Sequence, residues 1–401
     1  MRSMFRKHLV ATAAGVALLA GASVAAAQEA KVGILLGFTG PLESITPGMG
    51  GSAELALKEV SDSGLLLDGL KLTPVRADST CIDAAGAQAS AERLVNSENV
   101  AAIMGADCSG VTIAVLNNVA APNGVVMISP SATSPALTDI DDKGFFFRTA
   151  PSDARQGQVL TDVIVAKGIK SVAVTYTNND YGKGFSDSFS AAFTAAGGTV
   201  TINAPHEDGK GDYSAEVGAL AAAGGEVLVV LGYVDQGGVG IIRAAVDSGA
   251  FDRFALGDGM YGQSLIDAIG DNLNGTFGVI PGAEGEGTTK FAEIATAAGL
   301  DPSSSYTGES YDAAALIALA MQKAGSTDRA AIKDAVTEVA NAPGEKILAG
   351  ELARGLQILK DGGDIDYVGA TNVELIGPGE SAGTYREYEV KDGKFETVKF
   401  H

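Results

Sequence analysis

The chain of 401 residues carries 49 acidic against 28 basic side chains, a formal net charge of −21, with two cysteines and no tryptophan. That balance argues against nucleic acid and nucleotide phosphates as partners, which such a surface repels. The length is enough for two domains with cores of their own.

The first 27 residues read as a secretory signal peptide. Arg2, Arg6 and Lys7 make a basic head, Leu9 to Ala20 is an apolar stretch too short to span a bilayer, and Ala25 and Ala27 form an A-x-A cleavage signal. A membrane anchor is the alternative, but no cysteine stands at the cleavage point to take a lipid. No later stretch is long enough to span, so the expected mature protein is exported, soluble and still more acidic. Export also bears on the cysteines. Cys81 and Cys108 form an even pair in an oxidising compartment, which favours a bridge over two free thiols. Closing that loop stabilises the fold by about 3.5 kcal/mol in the chain-entropy model.

Beyond the leader, short β-rich runs alternate with helical patterns. "KVGILLG" (31–37), "KLTPVRAD" (71–78), "AAIMGA" (101–106), "GVVMISP" (124–130) and "FFFRTA" (145–150) make a first strand series. "RTAPSDARQG" (148–157) reads as a crossover to a second series: "SVAVTYT" (171–177), "GTVTINAP" (198–205), "VLVVLGY" (227–233), "RFALGD" (253–258) and "GTFGVIP" (275–281). Near-continuous apolar strands separated by amphipathic helices predict parallel sheets covered on both faces. Ten strands are too many for one comfortable sheet, so the fold class expected is α/β with two doubly wound lobes. Later, "YDAAALIALAMQKAG" predicts a buried helix stopped at Gly325, and "REYEVKDGKFETVKF" a terminal hairpin turning at Asp392–Gly393.

Catalytic chemistry is poorly supplied. Of three histidines, His8 leaves with the leader and His401 is the last residue, leaving His206 in "PHEDGKGDY". Clustered histidines and free thiols for zinc are lacking, no D-x-D-x-D-G calcium loop occurs, and no metal or cofactor is expected. A hydrolase built on Ser109 is a remote alternative, because Asp107 stands where the G-x-S-x-G elbow needs glycine. "GDGMYG" (257–262) fits G-x-G-x-x-G after a strand. It lacks the acidic residue some twenty positions on and places Asp258 where a pyrophosphate would approach, so it reads as tight-turn glycines presenting Asp258.

Several strand-to-helix loops do offer binding groups. Ser109 precedes one helix, and Ser131 and Thr133 in "ISPSATSP" precede another. Either they cap their own helices, or they converge at one sheet edge to hold a carboxylate. In the second series the equivalent loops carry Tyr181, Tyr233 and Asp258, which suit an ammonium group by ion pairing and cation–π contact. Ordinary packing is the competing account for the tyrosines.

Taken together, "GFTGPLES", the Cys81/Cys108 spacing, "GADCSGVT", "MISPSATSPALT", "FFFRTAPSDARQG", "NNDYGKGF" and "SYDAAALIALAMQKAG" resemble the type I periplasmic solute-binding proteins of ABC transporters, the branched-chain amino acid class. The resemblance covers essentially the whole mature chain. It implies two lobes joined by a three-segment hinge that closes on ligand. The expected division is 28–150 plus 281–360 for the N-terminal lobe and 151–280 plus 361–401 for the other. It implies a Cys81–Cys108 bridge, with Ser109, Thr133 and backbone near Ser131 at a ligand carboxylate. It places Tyr181, Tyr233 and Asp258 at the ammonium, with Asp258 where glutamate is common. The first loop, "GPLESITPG", lacks the family's tyrosine, and Glu43 is expected to face the cleft and admit a polar or cationic group. The implied role is capture of an amino acid-like zwitterion in the periplasm by a monomer that serves permease subunits in the inner membrane. A short amide, urea or quaternary amine is the alternative ligand.

Overall fold

A computed structural model describes residues 28–401; the leader and its cleavage site lie outside the described residues. The first lobe begins with β1 (Glu29–Leu36), α1 (Thr46–Ser63), β2 (Lys71–Asp78), α2 (Ala84–Glu92), β3 (Ala102–Gly105), α3 (Ser109–Val115), β4 (Val126–Ser129) and β5 (Phe146–Arg148). These strands form one parallel sheet in the order β2-β1-β3-β4-β5. Its central strands β3 and β4 are wholly buried, as their unbroken apolar runs require, whereas edge strand β2 alternates.

The second lobe follows with α4 (Asp153–Ala166), β6 (Ser171–Thr177), α5 (Asp180–Ala195), β7 (Thr199–His206), α6 (Ser214–Ala223), β8 (Val227–Leu231), α7 (Gly237–Ser248), β9 (Phe254–Leu256), α8 (Gln263–Ile269) and β10 (Phe277–Pro281). The chain then returns to the first lobe through α9 (Glu286–Ala297), α10 (Thr307–Ala324), α11 (Arg329–Ala340), β11 (Glu345–Leu348), α12 (Leu352–Lys360), β12 (Ile365–Gly369), β13 (Leu375–Ile376) and β14 (Glu380–Ser381). It crosses a last time to β15 (Tyr385–Lys391) and β16 (Lys394–Phe400). That hairpin, with Lys391 opposite Lys394, pairs antiparallel to β10 and completes a seven-stranded sheet in the order β16-β15-β10-β9-β8-β6-β7.

Helix α10 explains why the returning segment stays with the first lobe. Its run from Ala313 to Met321 is apolar on every side, so all its faces must be covered. Residues 309–322 are buried throughout, packed by α1, α11 and α12, and Gly325 ends the helix in the left-handed conformation. The division placed at residues 360/361 falls too early. β12 pairs with β11, and β14 lies against β5, where Glu380 meets Arg148. The third crossover therefore comes at about residues 382–384, beside the first, as the Pro151–Ser381 bridge shows.

Candidate functional site

The carboxyl edge of the first sheet is held together by Asp107 and the disulfide. The Asp107 carboxylate accepts Gly37 N–H at 2.9 Å and the Ser79 hydroxyl at 2.8 Å, so the loops after β1, β2 and β3 share one anchor. Cys81 and Cys108 are bridged beside it, with Cα atoms 5.1 Å apart. Gly105, just upstream, has φ +128°, and a Cβ there would meet Leu35 O at 2.1 Å, so only glycine lets β3 leave the sheet along this path. Burial raises the Asp107 carboxyl above its ordinary value, opposed by those hydrogen bonds.

Downstream, Ser129 Oγ donates to Ala106 O and accepts Ala132 N–H, and Ser131 Oγ donates to Asp107 O at 3.0 Å. Ser109 Oγ accepts Ser134 N–H at 3.1 Å. Under this loop lies fully buried Arg148, which donates to Ala132 O and Ser134 O and pairs bidentately with Glu380. The residues 131–134 are thus fixed from both sides.

The second lobe presents Asp258, 2 % exposed, on the tight turn after β9. Its Oδ1 accepts the Tyr181 hydroxyl at 2.7 Å and its Oδ2 that of Tyr306. Tyr233 stacks on Tyr181 with centroids 5.2 Å apart, and Asn179 Nδ2 donates to the Tyr233 hydroxyl. Burial raises the Asp258 carboxyl, against the pull of the two tyrosine hydroxyls, and drives Tyr181, Tyr233 and Tyr306 well above the phenol range.

Ser109, Ser131, Tyr181, Tyr233 and Asp258 line one cleft between the lobes, with Leu42, Ile45 and Tyr306. Thr133 lies fully buried beside it. The lobes meet at the rim, where Ser44 N–H donates to Asp235 Oδ2 at 2.8 Å and Asp235 N–H to Pro41 O at 3.1 Å. Glu43 is not in the cleft. It is exposed and turns back to accept Gly40 N–H, while its neighbours Leu42 and Ile45 point inward. The loop coils as a short turn into α1, so alternate sides of it face the other lobe and solvent, and the acid takes the solvent side.

Two residues here went unnoticed in the sequence. Tyr306 reaches Asp258 from the loop before α10 with φ +59°, a conformation that a bulky residue adopts only where the surroundings hold it. Asp153 opens α4 and is wholly buried; its N–H donates to Thr133 O at 2.8 Å. Neither Asp153 oxygen nor Thr133 Oγ1 meets a partner in hydrogen-bond geometry. Burial first, and then the charge of Asp258, push the Asp153 carboxyl far above the usual carboxylate range, while the Thr133 hydroxyl alongside draws it down. A helix-opening aspartate after serine reads as a cap, and here Ser152 does the capping instead. Among the described residues no histidine bonds Ser109: His206, its imidazole pushed down to about 4 by burial, is bonded to Thr175.

Comparisons agree with this architecture. The periplasmic binding protein family model matches residues 29–354. A Leu/Ile/Val-binding protein homolog 3 of Brucella melitensis is 30% identical over 313 residues, 78% of this chain and 83% of that protein. A leucine-, isoleucine-, valine-, threonine-, and alanine-binding protein of Pseudomonas aeruginosa is 30% identical over 315 residues, 78% of this chain and 83% of that one. A leucine-binding protein from Thermotoga maritima superposes with a TM-score of 0.77 at 22% identity, covering 92% of this chain and 98% of its own. A solute-binding protein from R. palustris in complex with 4-hydroxybenzoate gives 0.72 at 19%, covering 93% and 97%. The chain belongs to the periplasmic binding protein family, with the type I fold, among solute-binding proteins of the branched-chain amino acid class rather than enzymes.

Proposed function

We propose that the protein captures an α-amino acid with an apolar side chain between its lobes, in the periplasm, and delivers it as a monomer to an ABC transporter permease. One observation carries this reading: Thr133 Oγ1 and both Asp153 oxygens are buried against each other, with no other partner among the described residues, in a cluster with Asp258. Orphaned buried polar atoms are costly, and a ligand that brings donors to them recovers that cost. An ammonium group supplies such donors and allows two neighbouring acids to ionise together. The Ser109 hydroxyl, which accepts Ser134 N–H and keeps its own proton to donate, then suits the ligand carboxylate, and Leu42 and Ile45 suit an apolar side chain. Relatives named for leucine, isoleucine and valine support the same solute class.

An aromatic carboxylate is the second reading. It is favoured by the tyrosine hydroxyls that already occupy both Asp258 oxygens, and by the 4-hydroxybenzoate complex of a protein sharing the fold. Calorimetric titration with L-leucine, L-valine, L-alanine and 4-hydroxybenzoate separates the two. Amino acids should bind, and Asp153→Asn should weaken them by about 30-fold or more. Tight binding of 4-hydroxybenzoate, unaffected by that substitution, sinks the amino acid reading.

A further inference from the structure

A second cavity of about 370 Å³ lies at the hinge and shares only the Tyr306 wall with the cleft. Both lobes build it: Ile280 and Arg386 from the second sheet, Glu309 and Thr371 from the returning segment. Two of its ionisable groups are poorly matched to their surroundings. Arg386 Nε is buried without a partner, and its guanidinium rests on the Tyr261 ring, 5.0 Å from the centroid. Arg76, Arg93, Arg148 and Arg354 pair with carboxylates, whereas Arg386 forms no ion pair among the described residues. Arg155, Arg243, Arg253 and Arg329 form none either, but none of these lines the cavity. Glu309 is 5 % exposed, and among the described residues no donor but its own N–H reaches its carboxyl. Burial, with the nearby Asp312 charge, pushes that carboxyl up to about 8 despite Arg386, so at neutral pH it is an uncharged donor. The cavity therefore holds one free cation, one carboxylic acid and a fringe of serine and threonine hydroxyls such as Ser303 and Thr397.

We propose that this hinge cavity is a second binding site, for a small carboxylate held by the Arg386 guanidinium and the Glu309 carboxyl. An anion there satisfies Arg386 without a protein carboxylate, and it contacts both lobes at the point about which they move. Because Tyr306 lines both spaces, filling one bears on the other, and the coupling is reciprocal.

Acetate and propionate serve as probes, with chloride at equal ionic strength as control. Both carboxylates should raise the melting temperature saturably, and chloride should not. Arg386→Gln should cost about tenfold or more in their apparent affinity. Glu309→Gln, which remains a neutral donor, should keep it. Thr397→Trp, at an exposed hairpin position, should block the cavity while L-leucine still binds in the cleft. Equal responses to acetate and chloride overturn the proposal. So does carboxylate binding that survives both Arg386→Gln and Thr397→Trp, or that disappears in Asp153→Asn, which would place it in the interlobe cleft. The L-leucine titration is scored separately, so failure of the amino acid reading leaves this result intact.

Discussion

Asp153 and Asp258 are two buried acids in one cluster; burial raises both above ordinary carboxylate values, and the charge of Asp258 raises Asp153 further. An arriving ammonium reverses that balance, so amino acid binding should release protons from the pair. Titrations in buffers of different ionisation enthalpy should show it, and Asp153→Asn should abolish it. Glu309 gives a separate pH signature. Its carboxyl rises from 4.5 to about 8 on folding, so between those values the native state binds more protons than the unfolded one. This group's share of stability is therefore present at low pH and lost as pH climbs toward 8. Glu309→Gln should stabilise the protein by a few kcal/mol at pH 8.5 and hardly at all at pH 4.5, measured by urea unfolding. Single residues were unevenly legible. Asp258 stood out because a carboxylate interrupts a glycine turn after a strand. Tyr306 did not, since it meets Asp258 across 48 positions of sequence. Glu43 misled because a charged residue beside Gly-Pro says nothing about which side of a turn faces inward.

Among the elements, the loops at the edge of the first sheet depend on few ties. Reducing the disulfide, or replacing Cys81 and Cys108 by serine, should cost about 3 kcal/mol, seen as a lower denaturant midpoint. Arg148→Met should cost about as much or more, because Glu380 and the carbonyls of Ala132 and Ser134 lose a buried cation together. The main strands and helices were readable because buried parallel strands are continuous apolar runs bounded by turn residues. β11, β12, β13 and β14 were not, being short and partly exposed. That weakness misplaced the last crossover, since β12 pairs with β11 rather than joining the second sheet.

For the whole molecule, closure is written in the rim. Asp235 carries three contacts there: it accepts Ser44 N–H and the Ser264 hydroxyl and donates its own N–H to Pro41 O. Asp235→Ala should weaken amino acid affinity about three- to tenfold, mainly through faster dissociation, as stopped-flow displacement would record. The two-lobe plan was legible from strand count alone. Which side chains meet across the gap was not, because that depends on how the lobes are set together and no local pattern encodes it. The terminal hairpin has a consequence of a different kind. β10 lies between β9 and β15, so the second sheet is missing two strands until residues 385–400 are available. A chain emerging from the ribosome can build its first parallel sheet early, yet it leaves an open, hydrogen-bond-hungry strand in the second until residues 385–400 emerge in turn.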